Sequence, residues 1–349
     1  MNLPEKDFPV TKTLSKLERT LLGLEKTEEL HYLNFLTRQY GFRISNDWAK
    51  TRKQIAEDIL NPSSIRPEVT EDRLVELVDQ LIVSCDHSYR IYSIAPEAIK
   101  SIQALPEKLT NDMYSQQLSS IYPDRLSSSS TNASGVGLTK VKTFDSGLAF
   151  IFSLVNVVTK YNPELSSLVK STTQTFNTVF IPNNSNRIEV RVSNQVKKND
   201  RDDCFRDILD NFRNLTGSLG VNLKDINQLS FYNAIDSYYL DANAGRAAST
   251  TMTTTENSND AVLSNFRNRN YCARTQSVQD NTEDKHTYKC RAVSVRWPLE
   301  KENRCETEVS ITPHKHSWEL KNCFTFELKH PSSLLQLNRL VNDVIKRSE

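Results

Sequence analysis

Glycine is scarce in this chain: eight residues in 349, at positions 23, 41, 135, 137, 147, 217, 220 and 245. No spacing among them builds a phosphate loop ending in Gly-Lys-Ser/Thr, a dinucleotide turn between strand and helix, or a Gly-x-Ser-x-Gly nucleophile elbow. Cysteine is thin as well. The six residues Cys85, Cys204, Cys272, Cys290, Cys305 and Cys323 form no C-x-x-C pair, and their density is far below that of a disulfide-stapled secreted domain. A reducing, cytoplasmic setting is therefore expected.

Long apolar runs are missing too. The most apolar stretch, Leu148 to Val158, covers about half of the ~20 residues a bilayer span requires. Met1 to Val10 lacks the apolar core of a signal peptide, so no membrane association is expected. Neither sign of charge dominates, with 44 Lys plus Arg against 43 Asp plus Glu. No overall field selects for nucleic acid or an anionic surface, and a charged partner must be met by a local patch.

What is present is ample core-forming material, 37% hydrophobic residues, in a length that suits about two domains. The small polar run "LSSSSTNASGVG" at 126–137 cannot bury apolar area and reads as a flexible linker. It divides a helical unit, residues 1–125, from an α+β unit, residues 138–349. Within the second unit the polar stretch 245–284 reads as an insertion loop.

In the first unit, leucines at 14, 17, 21 and 24 keep helical spacing, and a second helix is expected around Leu30 to Tyr40. Phe42 to Ile44 suits a short strand and Trp48 to Leu60 a helix. Thr70 suits the cap of a helix with apolar positions 74, 77, 78, 81 and 82, and Tyr89 to Ile94 alternates as a strand. This order, over residues 28–95, resembles a winged helix-turn-helix. In the second unit, Phe144 to Tyr161 is apolar on nearly every face and reads as a central helix. Phe176 to Ile181 and Arg187 to Ser193 read as a hairpin, and a helix carries Phe205, Ile208, Leu209, Phe212 and Leu215, with Gly217 just past its end. Strands are expected at 288–297, 307–312 and 323–328, followed by a closing helix through Leu334 to Ile345. The fold class is α+β: a helical winged-helix-like N-terminal domain, then a mainly antiparallel sheet with helices on one face.

Candidate chemistry is sparse. Glu319-Leu320-Lys321 and Glu327-Leu328-Lys329 each place an acid two residues from a lysine. On a strand the two side chains share a face, as in many metal-dependent nucleases, and Glu308 could add a further acid. The plainer reading is cross-strand pairing on a solvated face. His314 and His316 with the nearby cysteines lack the paired spacing of a zinc site, so neither metal nor cofactor is expected. Arg43, Lys50, Arg52 and Lys53 form one basic group, and Arg267, Arg269 and Arg274, interleaved with aromatics, form another. Both suit DNA or RNA contact. The helix begun by Thr70 carries Glu71, Asp72, Glu76 and Asp79, which phosphates would repel. The expected function is thus a non-catalytic adaptor or regulatory subunit docking a protein partner, with nucleic-acid binding and a metal-dependent nuclease as alternatives.

Overall fold

The computed structural model describes residues 15–27, 33, 40–62, 69–105, 113–126, 134–162, 167–223, 225–254, 260–275, 288–299 and 305–349. The second expected helix falls almost entirely outside them, as does most of the expected linker. Three helices open the chain: α1 (Lys16–Glu25), α2 (Trp48–Leu60) and α3 (Glu71–Ser84). Each starts where a side-chain oxygen satisfies an orphan amide, from Ser15, Asp47 and Thr70 respectively. Strand β1 (His87–Ser93) follows, then α4 (Pro96–Gln103) and α5 (Met113–Ile121).

Four strands come next: β2 (Gly135–Phe144), β3 (Gly147–Asn162), β4 (Ser167–Pro182) and β5 (Arg187–Ser193). The long helix α6 (Arg201–Ser218), the short β6 (Asn227–Gln228) and α7 (Tyr232–Leu240) lead to β7 (Arg246–Thr254), β8 (Asp260–Ser264), β9 (Tyr288–Pro298) and β10 (Glu306–Ile311). The chain closes with α8 (Lys315–Glu319), β11 (Phe326–Lys329) and α9 (Leu334–Ser348). The strands form one antiparallel sheet in the order β2-β3-β4-β5-β1-β11-β10-β9-β7-β8, with β6 attached to β1.

Several expectations are corrected here. The segment 144–161 is not a helix: Phe144 ends β2, Asp145 and Ser146 turn, and the rest is β3. Leu148, Phe150, Phe152 and Leu154 pack into one core while Ala149 and Ile151 pack into the other. A strand covered on both faces reads as a continuous apolar run, which periodicity alone does not separate from a buried helix. Gly135 to Gly137 belong to β2, paired with Val155 to Ser153, rather than to a linker. Leu126 is buried, its amide held by Gln174 Oε1 at 2.8 Å.

The expected insertion loop holds β7, a threonine- and serine-rich strand, and β8; β7 pairs with both β8 and β9. Phe42 to Ile44 forms no strand. β1, placed in the N-terminal unit by the sequence, is a central strand between β5 and β11. Gly217 lies inside α6, and Gly220, at φ +84°, takes the left-handed position beyond it.

Helices cover both faces rather than one. On the first face α1, α2, α3, α7 and α9 contribute to a core with Tyr89, Phe180, Val295 and Phe326. On the second, α4 and α6 pack over β3, β4 and β5 through Ile99, Ile102, Phe205, Ile208 and Phe212. Each such fully buried side chain contributes about 1.5–3 kcal/mol. This second layer stops at β1. Beyond it, the same face of β11, β10, β9 and β7 carries charge.

Candidate functional site

The charged half-face is built by strand alternation. Val293, Val295, Val309, Ile311, Phe326 and Leu328 point into the first core. Their strand neighbours Ser294, Arg296, Glu306, Glu308, Ser310, Glu327 and Lys329 therefore share the opposite face. Register sets the contacts, with Glu308 opposite both Arg296 and Lys329, and Ser310 opposite Ser294 and Glu327.

The result is a ladder of ion pairs. Arg246 Nη2 lies 2.6 Å from Glu306 Oε2, Arg296 Nη2 2.5 Å from Glu308 Oε2, and Lys329 Nζ 3.1 Å from Glu308 Oε1. Arg201, at the start of α6, closes the row at 2.6 Å from Glu327 Oε1. Burial alone would raise the Glu308 carboxyl, but Lys329 and Arg296 outweigh it and hold the group below its usual range. Ser310 Oγ donates to Glu308 Oε1 at 2.8 Å, so both carboxylate oxygens are engaged.

Three of the nuclease candidates, Glu308, Glu327 and Lys329, are thus brought together. Glu319 and Lys321 are not: Glu319 ends α8, and Lys321 follows in a turn at φ +59°, so neither stands on a strand. A divalent cation at Glu308 would have to displace Arg296 or Lys329. Among the described residues no group of three or more His, Cys, Asp or Glu side chains is placed to hold a metal.

The basic groups part company as well. Arg43 pairs with Asp58 through Nε at 2.8 Å, Arg52 with Glu25 at 3.2 Å and Lys53 with Glu57 at 3.8 Å, while Lys50 is exposed. Arg274 turns inward. Its guanidinium donates to the carbonyls of Tyr238 and Tyr239, the last turn of α7, and to Gly245 O at 2.6 Å. It acts as a C-terminal cap supplied from elsewhere in the chain. Arg274→Ala is therefore expected to lower stability by about 1–3 kcal/mol, the cost of leaving these carbonyls unpaired, while binding of single-stranded nucleic acid stays unchanged; urea unfolding and a filter-binding titration check both. Arg267 and Arg269 remain exposed beside Phe266, which covers Arg296 at 4.7 Å.

A second feature escapes motif reading. β3 and β4 are 16 residues each and pair from Gly147–Pro182 to Asn162–Ser167. β2 accompanies β3 only as far as Val155, and β5 pairs with β4 only at Thr178 to Phe180. The distal part, ~20 Å at ~3.3 Å per residue, is a two-stranded ribbon among the described residues. It exposes Tyr161 (62%) opposite Leu168 (71%), with Val158 and Val169 exposed on its other face. Among the described residues no helix is long and apolar enough to cross a membrane. No family model, no curated protein and no solved structure matches the chain.

Proposed function

We propose that this protein is a non-catalytic adaptor that docks an apolar-pocketed protein partner through the β3–β4 ribbon. The observation that carries this reading is the pair Tyr161–Leu168 held in the open on a ribbon with no third strand among the described residues. An isolated two-stranded hairpin is marginal in water, and exposed apolar pairs on it gain most by burial against another chain.

The test places a photo-crosslinking residue at Tyr161 in the full chain. One stoichiometric partner is expected. Leu168→Asp should weaken its capture at least ~10-fold while leaving the melting temperature in place, since a surface change costs within about 0.5 kcal/mol. Crosslinks only within the chain, or unchanged capture by the Asp variant, would overturn the reading.

A second reading rests on Arg267 and Arg269, which no ion pair engages among the described residues. With Phe266 they form a patch suited to unpaired bases. If single-stranded nucleic acid binds there, Arg267→Ala with Arg269→Ala lowers the salt slope by about 0.7 per lost phosphate contact. An unaltered slope ends that alternative.

A further inference from the structure

Where the second helical layer ends, the start of α6 leaves a crevice of about 390 Å³ over the sheet, a size typical of small-molecule sites. Its floor follows from strand alternation. Tyr89, Ile91, Phe326 and Leu328 point into the first core, so Arg90 of β1, Thr325 just ahead of β11, and Glu327 share the opposite face. Arg201, Asp202 and Phe205 of α6 form one wall, and the half-buried Pro313 and Phe324 add apolar surface to the rest.

Arg90, Arg201 and Lys198 line this crevice against the carboxylates of Asp202 and Glu327. Arg201 is committed to the fold: Nη1 donates to Glu327 Oε1 at 2.6 Å and Nε to Val196 O at 3.1 Å. Arg90 is held from two sides, its guanidinium 4.4 Å over the Phe205 ring and its Nε donating to Thr325 Oγ1 at 3.2 Å. Its carboxylate partner, however, is Asp202, whose side chain is 80% exposed. Such a pair holds weakly, because water solvates the acid as soon as it turns away. Lys198 and Thr312 border the same crevice, and among the described residues no hydrogen bond or ion pair engages either side chain.

We infer that this crevice binds a small aromatic phosphomonoester, whose phosphoryl group takes the place that Asp202 holds on Arg90. The phosphoryl oxygens meet Arg90, Lys198 and the proton of the Thr325 hydroxyl, and the ring lies along Phe324 and Pro313. With Asp202 turned to solvent, the charges of Arg90, Arg201 and Lys198 balance Glu327 and a dianion, whereas a carboxylate ligand would leave one cation over. The site lies apart from the ribbon and does not depend on it.

The test titrates the full chain by calorimetry at about pH 8, where a phosphomonoester is a dianion, with phenyl phosphate, inorganic phosphate and benzoate, against sodium chloride at matched ionic strength. Phenyl phosphate is expected to bind saturably and more tightly than the other two, since it alone offers both a ring and a double charge. Asp202→Asn removes the competing carboxylate and should tighten binding at least ~5-fold, a gain that a damaged fold does not give, while Lys198→Ala should weaken it at least ~5-fold. No saturable response to phenyl phosphate, tighter binding of benzoate or inorganic phosphate, or an Asp202→Asn affinity no higher than the parent's would overturn the inference.

Discussion

Glu189→Ala is expected to cost the fold about 3–5 kcal/mol, because it strands a charge that water cannot reach. Glu189 and Arg191 are both fully buried on β5, and Arg191 Nη2 lies 2.6 Å from Glu189 Oε2. The guanidinium also caps the end of α3 through Val83 O and lies 4.0 Å over the Phe180 ring. Arg187 Nε reaches the other Glu189 oxygen at 2.9 Å. One carboxylate therefore compensates two cations inside the first core. A loss of that size lowers the melting temperature by roughly 4–7 °C in a chain of this length. Urea unfolding and calorimetry would show it, and a midpoint within error of the parent would refute it. The double variant Glu189→Leu with Arg191→Met removes both charges at once. It should recover most of the loss, since an apolar pair of similar volume avoids the desolvation cost of two ions.

The second large effect is in pH. Burial pushes the His87 imidazole down to about 3, with Arg191 adding to it, from an ordinary value near 6.5. The contribution of neutral His87 is intact above the unfolded value and is lost as pH falls toward the folded one, on the order of 4 kcal/mol in full. Burial raises the neighbouring Asp86 carboxyl to about 6, against the lowering effect of the His330 amide bond and Lys329. That group favours the fold below the unfolded value, near 3.8, and its contribution is lost as pH rises through about 6. The two opposing slopes overlap between about pH 4 and 6, so together they leave stability nearly flat there. Asp86→Asn removes one of them, and stability should then fall steeply as pH drops from 6 to 4. His87→Phe removes the other and should reverse the slope. Denaturation midpoints from pH 3.5 to 7 check both signs; parallel profiles in all three proteins would show that these groups do not titrate as described.

Legibility in the sequence followed the polarity pattern. The β4–β5 hairpin, α6, α9 and the Thr70 cap stand where alternation, helical spacing and a hydroxyl place them; β5 is buried on both faces, but Arg187, Glu189 and Arg191 alternate with its apolar residues and keep the period of two visible. β3 was misread because both of its buried faces are apolar. β7 was misread as loop because its "RAASTTMTT" run is polar, although threonine, β-branched, favours the pleated backbone. Glu308, Glu327 and Lys329 could be shortlisted from local spacing, but their neutralisation by Arg296 and Arg201 comes from other strands and from α6.

The amino-acid order by itself determined the antiparallel α+β character, the near-neutral charge, and the absence of glycine-built phosphate and nucleophile turns. Those properties are set by composition and by neighbours a few residues apart. Tertiary structure alone decided that β1 lies near the middle of the sheet, that helices cover both faces over only half of it, and that Arg201 of α6 meets Glu327 of β11. Each depends on register and packing between segments far apart in the chain, where side chains meet through space and sequence spacing carries no record of the encounter.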